Sequence, residues 1–311
     1  MEELWSHHPR WEALRDKLEN GIEFPLIDLS EQERLKDLAA AKERGNHKSA
    51  ATHEKFLADA MKKEVAKGWN LVLPVEEILN IPNLQLSPMG VADAVGISAT
   101  GEFVPKLRVT HDLSFPGEVS GQSVNSRVIK DDLEPCMFGH ALLRIVHHIV
   151  NLRRKYPNKI IWIRKDDFKS AYRRFHLRAS TAIKSAVVIK MNTVKYLLIS
   201  LRMPFGGSPC PSDFSLAADI ITDTINDLMI CREWDPKIVH SQYIRQVPEK
   251  IALGNEVQFA SARAMSVSIP DEEVLKADVF IDDIISVAPD IGDNLQRVVA
   301  APCTVLHTVS H

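Results

Sequence analysis

Cysteine is scarce in this chain: Cys136, Cys210, Cys231 and Cys303 are four among 311 residues, and no two are spaced as CxxC. Such usage makes a reduced, intracellular compartment the expectation. Long apolar runs are missing too. Nothing approaches the ~18 consecutive apolar residues of a membrane span. No apolar stretch follows Met1, so the sequence indicates neither a span nor a signal peptide. A cationic surplus is also lacking. With 38 Lys/Arg against 41 Asp/Glu the net charge is −3, which fits poorly with a nucleic-acid partner, whose backbone is held largely by Lys and Arg. The twelve histidines include His7-His8 and His147-His148, read as surface or satisfied residues rather than a zinc site. Core material is ample: 45% of residues are hydrophobic, over a length that holds two domains or one large domain with an extension.

Near the C-terminal end an apolar run is broken by two acids, Val279-Phe280-Ile281-Asp282-Asp283-Ile284-Ile285. Adjacent carboxylates flanked by β-branched residues look like the tip of a tight hairpin with buried strands. An unpaired buried carboxylate costs several kcal/mol, so such a pair calls for a compensating cation, which a divalent metal would supply. An exposed Asp-Asp turn between edge strands is the plain alternative. A second acidic pair, Asp166-Asp167, lies roughly 115 residues upstream of the first, after Ile160-Ile161-Trp162-Ile163, which reads as a buried strand leading into a short helical turn. Carboxylates from two strand ends can meet at one point and hold two hard cations ~3.5–4 Å apart, the equipment for in-line phosphoryl transfer.

The ordered blocks Asp167-Phe168-Lys169-Ser170-Ala171-Tyr172, Met203-Pro204-Phe205-Gly206-Gly207-Ser208-Pro209 and Phe280-Ile281-Asp282-Asp283 resemble motifs A, B and C of reverse transcriptases from retroelements. Lys106-Leu107-Arg108-Val109-Thr110-His111-Asp112-Leu113-Ser114, with Asn125 downstream, is similar to their fingers segment. The resemblance covers roughly residues 85–300, and its wording looks most like tyrosine-recombinase-type retrotransposons. It implies an α+β right-hand polymerase of fingers and palm, with a ferredoxin-like antiparallel palm sheet, two Mg²⁺ ions (or Mn²⁺), dNTPs, and an RNA or DNA template-primer. Asp167, Asp282 and Asp283 match the catalytic metal-binding carboxylates. Tyr172 matches the aromatic gate that excludes a ribose 2′-hydroxyl, and Arg108, with Lys106 the weaker candidate, matches the triphosphate-binding residue. Phe205 and Gly206 match positions against the incoming nucleotide. Asp166 has no counterpart and reads as a surface acid pairing with Lys165 or a neighbouring Arg.

Between Arg144 and Lys190 thirteen Lys/Arg face only Asp166 and Asp167. That local excess is expected to hold a template-primer, with Lys169, Arg173 and Arg174 as contacts. Residues 1–70 read as a helical extension, with a capping box at Ser30-Glu31-Gln32-Glu33 and an amphipathic stretch from Thr52 to Lys67 closing at Gly68. Residues 71–158 read as a fingers-like region ending in a helix from Cys136 to Tyr156, with Leu142, Ile145, Ile149 and Leu152 on one side. Residues 159–311 read as palm with part of the fingers (182–204), where Ala182 to Lys190 and Val194 to Leu201 form a hairpin. A helix from Ser212 or nearby places Leu216, Ile220, Thr224 and Leu228 on one face.

Two departures from the family stand out. About 77 residues separate Phe205 from Asp282, with an insertion over 231–275, and about 28 follow Asp283, leaving room for one helix near Asp293 but not for a thumb. The rivals to an active RNA-directed DNA polymerase are an inactive remnant that keeps the fold and binds nucleic acid, and another two-metal phosphoryl-transfer enzyme such as a nuclease.

Overall fold

The computed structural model describes residues 2–98, 100–136, 138–191, 193–241, 244 and 274–310. In chain order the helices are α1 (Glu2–Trp5), α2 (Trp11–Asn20), α3 (Glu31–Arg44), α4 (Lys48–Thr52), α5 (Glu54–Ala66), α6 (Ala141–Lys155), α7 (Ala179–Ala182), α8 (Cys210–Ile230) and α9 (Asn294–Ser310). The strands are β1 (Asn70–Pro74), β2 (Met89–Ile97), β3 (Phe103–His111), β4 (Ile161–Asp167), β5 (Val187–Met191), β6 (Val194–Ser200), β7 (Lys276–Phe280) and β8 (Asp283–Pro289). They form three small antiparallel sheets, ordered β1-β6-β5, β2-β3 and β4-β8-β7. The class is mixed α+β. Among the described residues no helix is long and apolar enough to cross a membrane.

The chain divides into two compact units, one of residues 1–12, 135–169 and 215–311, the other of 13–134 and 170–214. In the first, α6 lays Ile145 and Leu152 against Val287 of the β4-β8-β7 sheet, with Ile161 and Ile285 alongside. On the opposite sheet face Arg164 reaches Cys303 of α9. Asn226 of α8 covers the free edge of β7 by donating to the Ala277 carbonyl and accepting from its amide, at 3.0 and 2.7 Å, which satisfies backbone groups that an edge strand leaves open. Trp5 is buried and donates to Thr224 of the same helix at 2.8 Å.

The second unit is built around Leu57 and Met61 of α5, Met89 and Val91 of β2, Ile189 of β5 and Leu198 of β6. The capping box is present: Ser30 Oγ accepts from Glu33 N at 3.3 Å while Glu33 Oε2 accepts from Ser30 N at 3.2 Å. The amphipathic stretch is α5, and Gly68 beyond its end has φ 69°. Side-chain alternation gives the β2-β3 hairpin two unlike faces. Val95, Ile97, Phe103 and Pro105 lie on one, while Lys106 and Arg108 lie on the other across from Ala92 and Ala94.

Several elements differ from their expected bounds. The Cys136–Tyr156 helix begins only at Ala141, after a 3-10 turn over Phe138–His140. Its buried side is Ala141, Ile145, His148 and Leu152, and Leu142 is 63% exposed. Spacing by four, three and four describes the true stripe, so Ala141 stands where Leu142 was expected and His148 is buried beside the partly buried Ile149. The strand expected from Ala182 starts at Val187, because α7 and a 3-10 turn over Ile183–Ser185 occupy the earlier residues. Ile163, expected to be buried, is 60% exposed. Most of the 231–275 insertion lies outside the described residues.

Candidate metal centre and nucleotide-facing residues

In the first unit β4 pairs with β8 so that Asp167 stands directly across from Asp283. Like charges in that relation destabilise a sheet, so their placement needs another cause. The β7-β8 connection is a two-residue turn, Ile281-Asp282, with Ile281 at φ 58°. A β-branched residue there is strained, since hairpin turns of this kind usually carry Gly at that position. The turn brings Asp282 beside the other two, and Phe168 N donates to its carbonyl at 3.1 Å. Asp167, Asp282 and Asp283 each offer a carboxylate oxygen within 4.8 Å of the others. They are the one such grouping of His, Cys, Asp and Glu among the described residues, so His147-His148 belong to none. Three oxygen donors without His or Cys suit Mg²⁺ or Mn²⁺ and suit zinc poorly.

Asp166 takes no part. Its side chain points to the other face of β4 and accepts from Arg164 Nε and Nη2 at 2.8 and 2.6 Å. Lys165 shares the cluster's face and puts Nζ 2.8 Å from Asp283 Oδ2. That hydrogen bond, with the charges of Asp283, Asp167 and Asp282, raises the Lys165 ammonium above its ordinary value, so the resident cation stays charged.

In the second unit Tyr172 opens a 3-10 turn, Tyr172–Arg174, and its ring packs 5.1 Å from Phe205 and 5.7 Å, edge-on, from Phe214. Phe205 is 48% exposed. Gly206 has φ 114°, and a Cβ on it would lie 2.1 Å from the His111 carbonyl oxygen, so no other residue fits this turn. Asn125 clamps the same turn, donating to Gly206 O at 2.7 Å and Ser114 Oγ at 2.8 Å, and accepting from Ser208 N at 2.8 Å. Its clamping role went unassigned in the sequence, although Asn125 belongs to the fingers block. Lys106 and Arg108 are exposed on one face of β3 and form no ion pair among the described residues.

The basic segment departs from expectation. Among the described residues at least seven of its thirteen cations are ion-paired within their own unit: Arg144 with Asp278, Arg164 with Asp166, Lys165 with Asp283, Arg173 with Glu64, Arg178 with Glu23 and Asp16, Lys184 with Asp28, and Lys190 with Glu54. The acids of these second-unit pairs all come from residues 16–64, which have no motif of their own. Arg173 is a correction: it is buried, not a phosphate contact, and burial depresses its guanidinium from the ordinary value despite Glu64. Lys169 and Arg174 are exposed.

No family model matches the chain, and no curated protein matches it.

Proposed function

We propose that this chain is the RNA-directed DNA polymerase domain of a retroelement, adding deoxynucleotides to a primer 3′-hydroxyl on an RNA or DNA template. The observation that carries the reading is the convergence of Asp167, Asp282 and Asp283 at one point, from segments far apart in sequence. The order β4, α8, β7, β8, α9 supports a palm of ferredoxin-like kind. The projecting cations of β3 and the Tyr172-Phe205 ring pair support the nucleotide-facing roles.

By this reading the three carboxylates hold two Mg²⁺ ions, which when bound supply charge stabilisation at the reacting phosphoryl group. Arg108 forks its guanidinium onto triphosphate oxygens, a task a planar, permanently charged group suits, and Lys106 adds a point charge. Tyr172 excludes a 2′-hydroxyl by occupying its space, while Phe205 and Gly206 bound the nucleotide.

The test is single-nucleotide addition, which needs no processivity, by the 311-residue chain on homopolymer RNA and DNA templates with Mg²⁺ or Mn²⁺. Addition is expected from the wild type, with a loss on the order of a thousandfold or more in Asp282→Asn. Equal incorporation by both proteins, or none by the wild type with either metal, overturns the reading.

A further inference from the structure

We infer that Glu64, in the helical region before the first motif, is a positioning residue for Tyr172 and so for the choice of sugar on the incoming nucleotide. The inference rests on the polymerase reading above.

The turn Tyr172–Arg174 sends three successive side chains in different directions. Tyr172 lies half-buried on the Phe205 and Phe214 rings, Arg173 points inward, and Arg174 points outward. Arg173 is the fixed member. Its Nη1 donates to Ser200 Oγ at 2.7 Å and to the Arg202 carbonyl at 3.3 Å, and Nη2 donates to Glu64 Oε2 at 2.9 Å. Its Nε is buried with no hydrogen-bond partner. The guanidinium thus depends on one carboxylate for its compensating charge. The side chains of Arg173 and Glu64 are 10% and 19% exposed, so solvent does little to replace the pair if it is broken.

Glu64 is held in turn. It also accepts from Asn70 Nδ2 at 2.9 Å, and its helix α5 is set in the core by Leu57 and Met61. The carboxylate is therefore a fixed point, and the turn is registered against it. Without Glu64 the guanidinium is a buried, uncompensated charge that must move toward water. A three-residue turn has too little backbone to let Arg173 swing out while Tyr172 keeps its place on Phe205 and Phe214. The gate loosens although no residue of the gate has changed. This gives the acids of the N-terminal region a task that no motif there announces.

Binding of dGTP and GTP in the presence of Mn²⁺, measured on the full chain by calorimetry, tests the inference without turnover. Wild type is expected to prefer dGTP, and Glu64→Ala to lower that preference by about tenfold, chiefly through tighter GTP binding, because relaxing a steric gate admits the extra hydroxyl. Glu64→Gln, a smaller perturbation, is expected to fall between them. Adding Arg173→Met to Glu64→Ala removes the stranded charge and is expected to restore the preference, a rescue that general loosening of the fold would not produce. An unchanged preference in a folded Glu64→Ala or Glu64→Gln, or no rescue in the double variant, overturns the inference. A wild type that binds neither nucleotide, or both equally, overturns the polymerase reading itself, so the two failures appear in different proteins.

Discussion

Asp166 and Asp167 are chain neighbours with opposite work, and the pleat of β4 is the reason. Successive residues of a strand face opposite sides, so Asp167 joins Asp283 and Lys165 on one face while Asp166 joins Arg164 on the other. Two variants separate the roles. Asp166→Asn breaks a two-pronged, largely shielded pair and is expected to cost about 1–3 kcal/mol of stability in urea unfolding, with Mn²⁺ affinity unchanged. Asp167→Asn is expected to weaken Mn²⁺ binding at least tenfold while stability holds or rises, because it removes a like charge facing Asp283. Loss of Mn²⁺ binding in Asp166→Asn, or its retention in Asp167→Asn, would contradict the assignment. Much of this was legible in the sequence. The two acidic pairs stood out against apolar surroundings, and Asp166 was expected to pair with Lys165 or a neighbouring Arg. Which Arg it would be was set by parity, since Arg164 lies two residues away on the same face.

At the level of elements, sequence proximity and spatial charge part company. The cationic run over 144–190 looks like a polyanion site when counted along the chain, yet much of its charge is met in space, and Glu23, Asp28, Glu54 and Glu64 meet it from a distant segment. No local window contains both partners, so composition could not show it. The rotated face of α6 was hidden for a related reason. His148 on a buried stripe reads as polar until the packing partner is known, and leucine spacing alone favoured Leu142. The capping box and the hairpin at Asp282-Asp283 were readable because each is closed within a few residues. The charge argument gives a prediction for adjacent positions. Arg174→Gln, on the exposed side of its turn, is expected to reduce the salt dependence of oligonucleotide binding by about one unit of slope. Arg173→Gln is expected to leave the slope unchanged and to lower thermal stability instead. Fluorescence anisotropy across a KCl series distinguishes them, and an equal slope change in both would return Arg173 to the surface.

At the scale of the whole molecule, three consecutive regions were expected, whereas the contacts define two units whose segments interleave along the chain. Contiguous blocks are what a reading by motif order produces; interleaving follows from long-range pairings such as β1 with β6 or β4 with β8, whose partners lie more than a hundred residues apart. Another long-range meeting, of the end of β3 with the turn at Gly206, bears on how the second unit responds to acid. His111 is buried there, and its Nε2 has no hydrogen-bond partner. Burial, and then the neighbouring Arg173 charge, pushes its imidazole from 6.5 down to about 3. The unfolded chain therefore binds a proton that the folded chain refuses wherever the pH lies between those values. Stability from the neutral ring is complete above 6.5 and drains away as pH falls toward 3. Between pH 7.5 and 4.5 this amounts to about 2–3 kcal/mol. Asp213 of the same unit acts in the opposite sense, as does Asp219 of the first unit, since burial raises both carboxyls and their protonation on acidification relieves that cost. The net slope of the wild type mixes these terms, so the comparison must be with His111→Phe, which keeps a ring and loses the titrating nitrogen. Urea midpoints at the two pH values are expected to fall further in wild type than in His111→Phe by an amount equivalent to that free energy. Parallel losses in both proteins would mean that His111 gains its proton without unfolding the unit around Gly206.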